Sequence, residues 1–155
     1  GLENASIVRY GVMHRNTFIN SSQVLNPTLE TKAREGLFFA GQITGTEGYT
    51  ESIATGMLAG INMARRLNQQ SELVLPRETI LGAITFYITD KAHLEHISSR
   101  DGSLRYLPPQ PINSNWGILP PIELPKGERK NKKLKAELLA KRSIETMTEF
   151  VANWS

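Results

Sequence analysis

The tightest constraint in this chain is the run of residues 36–67, GLFFAGQITGTEGYTESIATGMLAGINMARRL. Its opening, Leu37-Phe38-Phe39-Ala40, is apolar, short and β-prone, which predicts a strand rather than a helix. Gly41-Gln42 and a glycine-rich turn at 45–48 follow. Thr44 stands three residues before Glu47, a capping-box spacing that predicts a helix starting inside the turn. Ile53, Met57, Gly60, Ile61, Ala64 and Leu67 then recur at helical steps. Arg65 and Arg66 occupy the last turn, where cations complement the helix dipole, and Pro76 stands beyond. The unit is strand, glycine turn, helix.

Such a unit is suited to a dinucleotide-type ligand. A glycine turn lets polar ligand atoms approach the backbone, and a helix N-terminus offers unpaired N–H groups and positive potential to an anion or an electron-rich ring. Small residues on nearly every face (Ala54, Gly56, Ala59, Gly60, Ala64) predict a helix packed closely on all sides. Glycine spacing alone fits a buried strand–turn–helix without a ligand equally well.

The residues before this unit are its immediate supports. Ile7-Val8-Arg9-Tyr10 can alternate as a short strand, and His14, Arg15 and Asn16 form a polar cluster able to bind a carboxylate, a phosphate or a pterin-like edge. Residues 24–32 (VLNPTLETK) predict a turn with short β pieces, since Asn26-Pro27 disfavours helix. Two or three strands in so short a span cannot cover both faces of a sheet. The first seventy residues therefore read as the last strands and helix of a larger α/β domain.

A second section begins near Ser71. Pro76-Arg77-Glu78-Thr79 predicts a helix start, with Ile80, Ala83, Ile84 and Tyr87 as its stripe. Residues 90–103 show no period and read as a loop; His93 and His96 lack a third ligand, so no metal site is assigned. A proline-rich run from Leu107 to Pro121 predicts an extended strap packed down by Trp116, Ile118 and Leu119. A final helix is expected over 128–153, with Ala136, Ala140, Ile144, Met147, Val151 and Trp154 as its stripe and Glu137–Lys141 as an i,i+4 pair.

Charge is distributed unevenly. The formal net charge is +3, yet residues 126–142 hold eight basic side chains against two acidic ones, a net of +6, leaving about −3 for the remainder. Lys130, Lys132, Lys133 and Lys135 crowd the N-terminal half of the final helix, where the dipole disfavours them. They read either as a phosphate-binding patch for RNA or as a solvated face. Hydrophobic content of 39% and charged content of 21% are globular values. The absence of cysteine excludes disulfides, thiolate zinc and thiol nucleophiles. The longest apolar run is too short to span a bilayer, and no leader-like segment opens the chain, so a soluble cytoplasmic protein is expected. No G-x-G-x-x-G occurs, so an N-terminal pyrophosphate loop is missing.

The string LFFAGQITGTEGYTESIATGMLAGINMAR closely resembles the C-terminal flavin-binding segment of the folate- and FAD-dependent tRNA uridine methyltransferases, and also the related GidA-type tRNA-modifying flavoproteins. IVRYGVMHRNTFIN and the strap's P-x-N-x-x-W-G-I-L pattern resemble the methyltransferases rather than the GidA type. The resemblance implies an α/β fold: the C-terminal part of a split, Rossmann-like, GidA-related FAD-binding domain, with few short strands and three main helices. Residues 1–70 would be the closing strands and flavin-facing helix, and 71–155 a helical extension with strap and basic helix. Carried over by position, Gly41, Gln42, Thr44, Gly45, Gly48 and Tyr49 would face FAD, while His14 and Arg15 would contact folate or tRNA.

The same resemblance implies a parent enzyme that uses NAD(P)H to reduce FAD and transfers a methylene group from methylenetetrahydrofolate to C5 of the T-loop uridine of tRNA. This piece would carry no catalytic residue of its own, would be inactive alone, and would need the missing N-terminal part of the same FAD domain as its partner. A GidA-type wobble-uridine flavoprotein and a non-catalytic tRNA-binding module are the alternatives.

Overall fold

The computed structural model describes residues 3–6, 17–90, 95–98, 104–107, 109–128 and 130–154. Helices α1 (Ser21–Val24), α2 (Tyr49–Leu67) and α3 (Ile80–Thr89) are followed by the antiparallel pair β1 (Glu95–Ser98) and β2 (Leu104–Leu107) and then by α4 (Lys132–Ala152). Among the described residues, the 3-10 turns Gly41–Thr44 and Trp116–Ile118 complete the order. The expected content of few short strands and three main helices is present, with α1 as an additional single turn.

Helix α3 is the central pillar. Its Gly82, Ala83, Ile84, Thr85, Ile88 and Thr89 are all buried. It packs against α1, α2 and the Trp116–Ile118 turn. Its start lies later than Pro76: Thr79 is the N-cap and accepts from the Gly82 N–H, while 76–79 forms a separate turn. Buried threonines at 85 and 89 turn their hydroxyls back onto the Gly82 and Thr85 carbonyls, so a polar-looking helix is fully satisfied inside.

One core gathers Leu25, Leu29, Leu58, Ala59, Leu73, Leu75 and Ile88, covered by Met147 and Phe150 of α4. A smaller one joins Ala83, Leu119 and Leu139. Leu139, Met147 and Phe150 thus define the face α4 buries, and the expected stripe is displaced: Ile144 and Val151 are exposed. Leu138-Leu139 beside the alanines allowed two registers of the same period, and contact with Leu119 selects one. The helix starts at Lys132, capped by Asn131, which accepts from Leu134 N–H. Its ion pairs are Lys133–Glu137 and Lys141–Glu145, not Glu137–Lys141.

Three further expectations are corrected. Residues 37–40 form no ladder strand; they make a single bridge, Glu30 to Phe38, because no neighbouring strand lies alongside. The segment 90–103 is not all loop, since β1 pairs antiparallel with β2 from Glu95↔Leu107 to Ser98↔Leu104; strands of four residues are too short to display a period. Trp116 does not pin the strap: it is 45% exposed, and Ile118 and Leu119 do the packing. Arg142 of the basic block instead grips the strap, donating to the Pro120 and Pro121 carbonyls. The expected strand at 7–10 lies outside the described residues.

Candidate cofactor site

The chain enters the site extended at Ala40 and reverses at Gly41, whose φ of 74° is left-handed and favours glycine. Gly41 N–H donates to Thr55 Oγ1, which itself donates to the Glu51 carbonyl, so turn and helix are stitched together. Thr44 does not cap α2. Its hydroxyl donates to the Gly41 carbonyl and meets Thr46 Oγ1, closing the 3-10 turn instead, and its carbonyl accepts from Ser21 Oγ. The capping-box expectation fails because α2 begins at Tyr49, after the N-cap Gly48, with no side chain capping its first N–H groups.

Gly48 is the conformational key. With φ 94° and ψ 150° it occupies backbone space that is essentially glycine's alone. A Cβ there would also stand 2.2 Å from Glu51 Oε2 and 3.1 Å from Asn113 Nδ2. The bare Cα lets the strap and the first turn of α2 close around one point.

The six residues expected to face the cofactor divide into two groups. Gly41, Thr44 and Gly45 are buried and shape the turn, whereas Gln42, Gly48 and Tyr49 are exposed. Gln42, Gly48, Tyr49 and Ser52 line an open cleft of about 340 Å³. Tyr49 is 92% exposed. His14 and Arg15 lie outside the described residues; the described end of that segment reaches the site, where Ile19 N–H donates to the Ile43 carbonyl at 2.8 Å. Lys130, Lys132, Lys133 and Lys135 are exposed at the start of α4, and among the described residues no hydrogen bond or ion pair ties them to the turn.

The strap is a component that the sequence reading did not place here. Ile112 bridges Thr46 in parallel, with Ile112 N–H donating to the Gly45 carbonyl and Glu47 N–H to the Ile112 carbonyl, both at 2.9 Å. Ser114 donates its N–H (2.9 Å) and its hydroxyl (2.5 Å) to Glu51 Oε1. These two bonds hold the Glu51 carboxyl below the usual carboxylate range. The P-x-N pattern was visible in the sequence, but nothing in it pointed to the glycine turn more than sixty residues earlier.

Helix α2 has one packed side. It buries Thr55, Leu58, Ala59 and Asn62, while Ile53, Met57 and Leu67 of the expected stripe are 72%, 59% and 77% exposed. Gly56 and Gly60 have open space where a Cβ would stand. Packing on all sides is therefore not realised among the described residues. The polar letters of Thr55 and Asn62 concealed the face that is buried.

Comparisons with known sequences bear on this site. The family described as "Glucose inhibited division protein A" matches residues 1–71, ending just beyond α2. A Brevibacillus brevis protein named "Methylenetetrahydrofolate--tRNA-(uracil-5-)-methyltransferase TrmFO" is 51% identical over 150 residues, 97% of this chain and 31% of its own length. Proteins of the same name from Exiguobacterium sp. and Halalkalibacterium halodurans are each 48% identical over 151 residues, again 97% of this chain and 31% of theirs. The chain thus spans just under a third of the relatives it matches.

Proposed function

Because this chain belongs to the methylenetetrahydrofolate–tRNA-(uracil-5-)-methyltransferase family, we propose that it is the flavin-facing closing segment of such an enzyme. The observation that carries the reading is the identity of 45–51% maintained over nearly the whole chain, strap and basic helix included. That span favours the methyltransferase over a GidA-type protein, whose family match ends at residue 71. In this reading residues 1–70 close a split, Rossmann-like FAD domain and 71–155 extend it.

The feature that suits a flavin is the uncapped N-terminus of α2, which offers N–H groups to an electron-rich ring edge. Gln42 and Tyr49, exposed beside it, are placed to contact the ligand, and the buried Gly41, Thr44 and Gly45 hold the backbone in shape. Bound FAD would supply the reducing chemistry, drawing on NAD(P)H, that turns a methylene from methylenetetrahydrofolate into the methyl at C5 of the T-loop uridine. This chain's residues orient and bind; no catalytic residue is assigned among them. His14 and Arg15 are proposed folate or tRNA contacts. Lys130, Lys132, Lys133 and Lys135 are proposed to attract tRNA through phosphate, with a salt-dependent affinity.

The open side of α2 supports a second part of the reading. Ile53, Gly56, Met57 and Gly60 form a face of apolar and small residues, and some two-thirds of the relatives' length lies outside this chain. We assign that face to the preceding part of the same FAD domain. The isolated chain is then expected to be inactive, and to purify colourless. No helix among the described residues is long and apolar enough to cross a membrane, and a cytoplasmic enzyme is proposed.

The test uses the complete protein with unmodified tRNA, methylenetetrahydrofolate and reduced nicotinamide, followed by digestion and mass analysis of nucleosides. New 5-methyluridine supports the assignment. Its absence, with wobble-uridine modification in its place, moves the protein to the GidA type. If neither forms while tRNA binding survives without flavin and falls on changing the four lysines to Glu, a non-catalytic tRNA-binding module is the better reading.

A further inference from the structure

The strap crosses the glycine turn at one place, and its residues there have separable duties. Ser114 spends its N–H and hydroxyl on Glu51. Asn115 caps the following 3-10 turn by accepting from Gly117 N–H and donates its Nδ2 to the Asn113 carbonyl. Ile112 is committed to the bridge with Thr46. Asn113 is the exception: its side chain is exposed and makes no hydrogen bond among the described residues, yet its Nδ2 lies beside the bare Cα of Gly48. An asparagine between two bonded neighbours, with neither end of its carboxamide engaged among the described residues, is prepared to read a ligand.

We propose that Asn113, beside the cleft-lining Gly48, is a recognition residue at the edge of the cofactor cleft, positioned by the Glu51–Ser114 clasp. Its carboxamide pairs with a lactam edge, an N–H beside a C=O, on a planar heterocycle. A carboxamide matches that edge with one donor and one acceptor, and no charged or singly polar side chain does. Flavin and reduced pterin rings both carry such an edge. Glu51 and Ser114 are positioning residues, since they act only through the strap. The inference rests on the flavin-site reading above and adds to it a wall from the second section of the chain.

The experiment uses the complete parent protein. FAD affinity is measured by quenching of flavin fluorescence on the apoprotein, and tetrahydrofolate affinity by perturbation of the flavin absorption bands of the holoprotein. Asn113→Ala is expected to weaken one of the two ligands roughly tenfold, the scale of one or two lost hydrogen bonds, with little change in Tm. Loss confined to FAD assigns the edge to flavin, and loss confined to tetrahydrofolate assigns it to pterin. Asn113→Asp keeps the shape but removes the donor, and should weaken the same ligand. Glu51→Gln should do so too, with a double variant falling short of the product of the single effects. Both affinities within twofold of wild type in Asn113→Ala and Asn113→Asp overturn the proposal. A wild-type protein that binds no flavin overturns instead the reading on which it rests.

Discussion

Asn62, wholly buried on α2, exchanges two hydrogen bonds with the backbone of Leu73: Leu73 N–H donates to Asn62 Oδ1 at 2.7 Å, and Asn62 Nδ2 donates to the Leu73 carbonyl at 3.0 Å. The same Nδ2 donates to the Thr28 carbonyl at 3.0 Å. One side chain thus ties α2 to two separate loops. Asn62→Leu strands a buried N–H and two carbonyls, and a stability loss of about 1–3 kcal/mol is expected. Urea unfolding should show a lower midpoint with an unchanged slope. An unchanged midpoint would mean that water replaces the amide.

The glycine turn is legible in the sequence, whereas the buried face of α2 is not. The glycines at 41, 45 and 48 were legible because φ values of 74°, 88° and 94° leave a signature in residue type. The buried face of α2 was not, because Thr55 and Asn62 are satisfied by partners distant in sequence, and their polarity reads as exposure. The apolar residues opposite them, Ile53 and Met57, are exposed, so the face that reads as core is not the face that is buried. The strap was legible as extended from its prolines, but its docking depends on Glu51 and Ser114, two ordinary polar residues. Local backbone demands show in a sequence; long-range hydrogen-bond partners do not.

Gly82 offers a sharper test of packing. In a helix interior Ala is favoured over Gly by about 1 kcal/mol. Yet a Cβ at Gly82 would stand 2.0 Å from the Pro76 carbonyl oxygen and 2.8 Å from Thr79 Oγ1, inside the N-cap of α3. Gly82→Ala should therefore destabilise, by about 1–3 kcal/mol, as overpacked sites do. Thermal unfolding followed by circular dichroism checks the sign. A higher Tm would show that the 76–79 turn yields freely.

The clasp has a pH signature. Residues 109–122 contain no ionisable side chain, and the carboxylate that they engage is Glu51. The Glu51 carboxyl is lowered by Ser114, so its contribution is present above the ordinary carboxylate range and is lost as pH falls through its lowered value. In a Trp154→Phe background, Trp116 emission should change as the strap loosens in that acid window. Glu51→Gln should abolish the transition, and a transition that persists assigns it to general acid unfolding instead.

The open side of α2 sets two outcomes against each other. In this chain Gly60 faces free space, so Gly60→Leu replaces a poor helix former with a good one and should raise stability by roughly 0.5–1 kcal/mol. In the complete protein the same change is expected to act in the opposite direction. If the preceding part of the FAD domain lies on the face formed by Ile53, Gly56, Met57 and Gly60, a leucine at the notch separates the two helically packed surfaces. Flavin content should then fall together with Tm, because Gly48 and Tyr49 stand on the same helix. Measuring both quantities in both proteins isolates the interface. A stabilised complete protein with full flavin content would show that nothing covers this face, and would send the search for the missing contact elsewhere.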